Sequence, residues 1–456
     1  MKVEKAKYLI IGNSAGGIGA VEAIREADKG GAITVVSDEP YPTYSRPLIS
    51  EYLAQKIPVE RMLFRPADFY DRNSTHAVLG LKVERIDVNQ HAVRLEDGST
   101  ITWRKLLLAT GSSPIVPQIE GIGLKGVFTF TTLNDARMID GFLNQHPSRR
   151  LSAVVIGGGL IGVSVTEALV KRGVKVTLVE MKERLLNTIL DEEASSLAED
   201  ILKKAGVEIL TGHTVSKMKG SLNNEVIGAE LDNVRTIPCD MVIVAVGVQP
   251  RTDIASKARI KTNRGIVIDQ RMATSSPDIY ACGDVAEAYD FVYRDNRVTP
   301  IWPNAYIGGM IAGFNMAGFP AKYPGGISMN AMNYFGLAIV AAGMVNPPDD
   351  SYEVLSEKHN HVYKKLVLKD GLIVGMVFSD DIEKSGIIYS LIKDRVDVTG
   401  FKHRLVAEDF GLISLPEEIW RQRLERPISA ASSLVTSVKQ PKKTVIRDLR
   451  FVFGGS

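Results

Sequence analysis

Three glycines, Gly157, Gly159 and Gly162, stand at the spacing Gly-x-Gly-x-x-Gly, with Leu160 and Ile161 between the last two. That spacing suits one task, holding the pyrophosphate of a dinucleotide. The first glycine makes a tight bend, the second lets the backbone approach the phosphates, and the third lets a helix pack against a strand. The phosphates then rest on free N–H groups at the helix start, where the dipole favours negative charge. Gly12, Ser14 and Gly17 hold the same positions near the start of the chain, with Gly16 as a further small residue easing the turn. A carboxylate follows each turn at the end of the next expected strand: Asp38, with Glu39 beside it, and Glu180. Each is placed to accept from a ribose 2′-hydroxyl. Glu180 favours NAD over NADP, because a carboxylate repels a 2′-phosphate.

A turn of this kind works only between a strand and a helix. The apolar run Tyr8–Ile11 precedes the first turn, a helical pattern follows it, and the β-branched run Ile33–Val36 comes next. Val154–Ile156 opens the same strand–turn–helix–strand order a second time. Between the copies, Lys82–Val88 and His91–Leu95 read as paired strands, and Leu106–Ala109 as a strand ending in Thr110-Gly111. The second half has a comparable strand, Met241–Val246, ending in Gly247. Residues 326–420 change character: two alternating strands flank Asp370-Gly371, a hairpin signal, and a helical pattern follows. From Arg421 onward eight Lys/Arg face two acids around a Ser/Ala-rich stretch, which reads as a linker and basic tail.

Composition narrows the field. The chain has 456 residues, room for two or three domains, and 45% hydrophobic residues, ordinary for a globular protein. A formal net charge of +2 gives no reason to expect nucleic acid as partner. No apolar run approaches the length of a membrane span, so none is expected. Only two cysteines occur, far apart, which points to a reducing compartment and makes the cytoplasm the default location.

The order of these elements resembles the FAD-dependent pyridine nucleotide–disulfide oxidoreductase superfamily over roughly residues 7–425. Beyond the two turns, the resemblance rests on KLLLATGSSP, MVIVAVGVQPRTD and SSPDIYACGDVAE. It implies an α/β fold with two Rossmann-like dinucleotide-binding domains, an FAD domain holding an inserted NAD domain, plus a C-terminal α+β interface domain. The implied bounds are 1–149 and 273–325 for FAD, 150–272 for NAD(H), 326–420 for the interface domain and 421–456 for the tail. The implied FAD site comprises the first turn, Asp38, Glu39, Arg46, Pro47, Val83, Thr110, Gly111, Gly283, Asp284 and Trp302. Asp284 would accept from the ribityl chain, and Trp302 would lie near the isoalloxazine. The implied NAD site comprises the second turn, Glu180 and Gly247.

Within the superfamily, Tyr44, Arg46, Pro47 and Ser50 resemble the branch without a redox cysteine: rubredoxin and ferredoxin reductases, the flavin part of nitrite reductases, and NADH-coupling subunits of redox complexes. Ferredoxin reductases usually carry lysine where this chain has Glu51, and many relatives carry glutamate where it has Ser164. A disulfide reductase needs a low-pKa thiolate beside its flavin. Cys282 lies inside the flavin motif and Cys239 at a strand start, and both read as inert buried residues. His359 and His361 form an isolated pair, and no metal site is expected. Arg46 would then supply fixed positive charge beside the flavin. The implied activity is an NAD(H):acceptor oxidoreductase whose electrons pass through FAD to or from an iron–sulfur protein or partner subunit. The rivals are a free-standing NADH oxidase or peroxide or coenzyme A-disulfide reductase, and a flavin-binding assembly subunit without turnover. The C-terminal domain would carry any homo- or hetero-oligomer contact. The basic tail, with Arg421, Arg423, Arg426, Lys439, Lys442, Lys443, Arg447 and Arg450, would offer an acidic partner a docking surface.

Overall fold

A computed structural model of the chain describes residues 3–146, 150–232 and 235–425. Two parallel five-stranded sheets form its frame. The first has the order Ile279–Ala281, Lys105–Leu108, Tyr8–Ile11, Ile33–Ser37, Thr75–Leu79. Every residue of its central strand, Tyr8–Ile11, is buried. Helices cover both faces of such a sheet, so its middle strands read as unbroken apolar runs rather than alternating ones. Helix Ala15–Ala27 and helix Trp302–Met316 pack side by side there. Their backbones come so close that a side chain at Gly309 would strike the Gly16 backbone.

The second sheet repeats the plan: Val127–Thr129, Met241–Val244, Ser152–Ile156, Lys175–Glu180, Glu208–Thr211, all parallel. Helix Leu160–Lys171 joins its two central strands. An antiparallel ribbon, Ser112–Pro114 against Val248–Pro250, runs between the two sheets. The strands expected at 82–88 and 91–95 are observed as Val83–Asp87 and Ala92–Leu95, paired antiparallel.

The C-terminal sheet is antiparallel, in the order Met329–Tyr334, Leu337–Gly343, Leu372–Ser379, Val362–Lys369, Glu353–His359. Its central hairpin turns at Asp370 and Gly371, both at positive φ (50° and 75°), as a type I′ turn demands. Helix Ser385–Asp394 packs on it. One apolar core joins this sheet to the second parallel unit and to the stretch after Asp38. It contains Tyr44, Ile49 and Leu53, Val163 and Leu169, and Met332, Tyr334 and Ile339.

One reading needs correction. The linker expected from Arg421 does not begin there, because helix Glu417–Glu425 runs through it. Glu417 and Glu418 stand in its first turn, where the dipole favours acids, and Glu417 pairs with Arg421 one turn on. The remainder of the expected tail, from Arg426 on, lies outside the described residues.

Candidate functional site

Part of the expected first site, Gly12, Asp38, Thr110, Gly111, Gly283 and Asp284, lies at the carboxyl ends of the first sheet's strands, where open α/β sheets bind ligands, while Val83 lies on a separate four-stranded sheet. Gly12 follows strand Tyr8–Ile11, Asp38 follows Ile33–Ser37, Thr110 and Gly111 follow Lys105–Leu108, and Gly283 and Asp284 follow Ile279–Ala281. Gly12 has φ +121°, and a side chain there would collide with the Ala109 carbonyl. A side chain at Gly17 would collide with the Gly12 carbonyl in turn, so the helix packs tightly on the turn. Ser14 is the helix N-cap, and its hydroxyl makes no capping bond. The first-turn N–H groups are therefore left for an anion. Gly16 has a reason the sequence did not disclose: the Cys282 thiol and the Ala305 carbonyl lie against it.

The two carboxylates after the second strand do different work. Asp38 stays at the sheet edge, paired with Arg251 at 2.8 Å. Glu39, expected beside it at the ribose, turns inward instead. It accepts from the Tyr44 hydroxyl at 2.5 Å and forms an ion pair with Arg46. Arg46 also donates to the Thr131 carbonyl at 3.1 Å, while the Tyr44 hydroxyl accepts from the Leu133 N–H at 3.0 Å. Arg46 thus pairs with a buried carboxylate, which fixes the direction of its guanidinium. Pro47 sits in the single 3-10 turn, Arg46–Leu48, that carries this arginine. Val83 is buried at the start of its strand.

Asp284 accepts from the Ser112 hydroxyl at 3.1 Å. Desolvation raises its carboxyl above the ordinary aspartate range, opposed by that hydrogen bond and by the Arg46 charge. A buried carboxylate has about four acceptor positions, and a ribityl hydroxyl of FAD would fit one of those left over. Trp302 opens its helix and meets Phe64 edge to face at 4.9 Å.

The second site repeats this geometry. Gly157 has φ +105° beside the Ala245 carbonyl, and Gly162 packs on the Gly157 carbonyl so closely that no side chain fits. Gly159 is the N-cap, with Leu160 and Ile161 in the first turn. Glu180 ends its strand and accepts from the Gly158 N–H at 2.6 Å and the Lys182 N–H at 2.7 Å. A carboxylate has about four acceptor positions, so two remain for ribose hydroxyls. Gly247, at φ +124°, lies at the ribbon, where its carbonyl accepts from Ile115 at 2.9 Å.

Neither cysteine is equipped for thiol chemistry. Burial, with the Asp284 charge adding to it, pushes the Cys282 thiol up to about 12; burial, with Asp240 beside it, does the same for Cys239. Replacing both by serine is expected to leave the rate of flavin bleaching by NADH within about twofold of the parent, since inert buried thiols carry packing only. A loss of bleaching in rapid mixing would return sulfur to the mechanism. Among the described residues no cluster of three or more His, Cys, Asp or Glu could hold a metal, although Glu357 approaches His359 at 3.3 Å. No helix among them is long and apolar enough to cross a membrane.

Sequence reading missed four contributors: Ser112, Thr131, Arg251 and, as the partner of Glu39, Tyr44. Ser112 directly follows Thr110-Gly111 and was within reach. Thr131 and Arg251 act through contacts that only the folded chain creates.

Two dinucleotide turns on two parallel sheets, joined by a ribbon and backed by an antiparallel domain, define a two-nucleotide redox fold. The chain matches the family Pyridine nucleotide-disulphide oxidoreductase over residues 6–329 and the Rubredoxin NAD+ reductase C-terminal domain over residues 329–396, and it belongs to that oxidoreductase family. It is an oxidoreductase that works with FAD and NAD(H). It is similar to the NADH-dependent phenylglyoxylate dehydrogenase subunit epsilon of Aromatoleum evansii, at 32% identity over 92% of this chain and 99% of that one. It is also similar to an NADH-rubredoxin oxidoreductase of Clostridium acetobutylicum, at 29% identity over 81% of this chain and 92% of that one. The fold matches a reductase in a covalent putidaredoxin reductase–putidaredoxin complex, with TM-score 0.81, 24% identity, and coverage of 92% and 98%.

Proposed function

We propose that this chain passes electrons between NAD(H) and an iron–sulfur protein, or an iron–sulfur subunit of a larger redox complex. The observation that carries the reading is the state of the two cysteines. Both are buried and held protonated, so the chain offers the electrons no internal thiol acceptor. An acceptor outside the chain is left. The phenylglyoxylate dehydrogenase subunit and the rubredoxin oxidoreductase carry names that fit the two forms of this reading.

When bound, FAD supplies a ring that takes two electrons as a hydride and can release them singly. The residues of this chain position and shield. Gly12, Ser14, Gly16 and Gly17 would carry the FAD pyrophosphate on N–H groups, with Asp38 at the ribose. Asp284 would accept from the ribityl chain. Thr110, Gly111, Pro47, Val83 and Trp302 would line the cleft, and Arg46 would add a fixed positive charge. Gly157, Gly159, Leu160, Ile161, Gly162, Gly247 and Glu180 would hold NAD(H). We assign residues 1–149 and 273–325 to the FAD domain, 150–272 to the NAD(H) domain and 326–420 to the interface domain. The exposed edge strand Glu353–His359 supports placing subunit contacts on that last domain. Two unpaired cysteines suit a reducing compartment, and we place the protein in the cytoplasm.

Steady-state assays test the reading. NADH oxidation is expected to be slow with oxygen, peroxide or coenzyme A disulfide alone, and to rise at least tenfold when a ferredoxin or rubredoxin is added. Fast turnover with any of the three small acceptors alone would establish the rival oxidase or disulfide reductase.

A further inference from the structure

The C-terminal sheet holds the second nucleotide unit by more than apolar packing. Asp191, the N-cap of helix Glu192–Lys204, uses one carboxylate oxygen to accept from the Ala194 N–H at 3.2 Å. Its other oxygen accepts from the Tyr363 hydroxyl at 2.6 Å and the Lys365 ammonium at 2.9 Å, both from the C-terminal sheet. The Asp191 and Lys365 side chains are each only 10% exposed. Next to them, the Asn346 amide donates to the Leu190 carbonyl at 3.1 Å and the Asn187 carbonyl at 3.4 Å.

Leu190 and Asp191 close the segment that begins just after Glu180. Midway, the same segment returns to the glycine turn. The Leu186 N–H donates to the Gly158 carbonyl at 2.8 Å, with Leu186 itself at φ +54°. The Leu185 side chain fills the space beside Gly158, and the Gly158 N–H donates to Glu180 at 2.6 Å. One continuous set of contacts therefore runs from the C-terminal sheet, through Asp191 and Leu190, to both sides of the Gly158 peptide. A left-handed leucine costs strain and persists only where its surroundings hold it. Asp191, Lys365, Tyr363 and Asn346 are those surroundings at one end of the segment.

We propose that Lys365, Tyr363 and Asn346 are positioning residues for the NAD(H) site, acting through the segment 181–190 on the Gly158 turn and the Glu180 carboxylate. The inference rests on the reading that this turn and Glu180 hold NAD(H). A segment fixed at both ends meets the nucleotide in its bound form, so binding loses less conformational freedom. Releasing one end transfers that loss to the binding step. The hydrogen bonds of Lys365, Tyr363 and Asn346 go to Asp191, Leu190 and Asn187, none of them a residue assigned to FAD, so affinity should move and kcat should not.

The experiment uses the FAD-loaded full chain. Lys365→Met, Tyr363→Phe, Asn346→Ala and the conservative Lys365→Arg are compared with Glu180→Ala for NADH affinity by titration, KM, kcat and flavin content. Tyr363→Phe and Asn346→Ala remove neutral bonds and keep the test usable if Lys365→Met, which strands the Asp191 charge, fails to fold. The expected result is NADH affinity and KM weakened about fivefold or more in the three disruptive variants, on the scale of ordinary intersite coupling. In those variants kcat and flavin content should stay near the parent values, and Lys365→Arg should restore the affinity. Weakened NADH binding in Glu180→Ala, with parental affinity in Tyr363→Phe and Asn346→Ala, would overturn this inference and leave the site in place. Parental affinity in Glu180→Ala as well would overturn the site, and the inference with it.

Discussion

Asp284→Ala is expected to leave purification depleted of FAD and nearly colourless, while still folded. The carboxylate sits on the turn after strand Ile279–Ala281, where it accepts from the Ser112 hydroxyl. Removing an ionised acceptor from a ligand hydroxyl costs about 1.5–3 kcal/mol, or roughly 10- to 100-fold in affinity. Asp284→Asn keeps one acceptor oxygen and should retain an intermediate fraction of flavin, measured as flavin absorbance per chain.

The same residue has an opposite effect on the empty protein. Desolvation lifts the Asp284 carboxyl above its unfolded value. A raised carboxyl costs stability that is absent at acid pH and grows as pH climbs through the unfolded value to the folded one. Apoprotein carrying Asp284→Asn should therefore melt no lower than wild-type apoprotein at neutral pH, and the difference should shrink in acid. Such a conflict between stability and binding is what a ligand-holding residue is expected to show. Full flavin content in Asp284→Ala would mean the ribityl acceptor lies elsewhere.

Glu180→Ala should raise the NADH concentration needed for half-maximal rate by about one to two orders of magnitude, again the scale of lost charge-assisted bonds. Two effects combine there. On the proposed site the ribose would lose an acceptor, and the Gly158 N–H loses the carboxylate that fixes the glycine turn. Glu180→Gln keeps one oxygen and should fall between parent and alanine. Removing the negative charge should also narrow the preference for NADH over NADPH, because the 2′-phosphate is no longer repelled. Flavin content should not change. An unchanged NADH dependence would remove Glu180 from the ribose.

The parts of the fold that were legible are those set by local chemistry. Both glycine turns could be read because a bend at positive φ and a close helix–strand approach admit only the smallest residues, as Gly12 and Gly162 show. The hairpin at Asp370-Gly371 was legible for a similar reason. Glu39 was not. Adjacent carboxylates on a strand end look alike in sequence, and only the position of Tyr44 and Arg46 decides which one turns inward. Gly16 reads in the sequence only as a small residue easing the turn, since its neighbour Cys282 arrives from 266 residues later in the chain. The helix through Arg421 was hidden because a charge count begun at Arg421 leaves out Glu417 and Glu418, the acids that open its first turn.

The most direct measurement is anaerobic rapid mixing of the FAD-loaded protein with NADH, followed by a second mix with an oxidised ferredoxin. The flavin's visible absorbance is expected to bleach on the first mix and to return on the second as the iron–sulfur cluster is reduced. Flavin that stays oxidised under excess NADH would contradict that expectation.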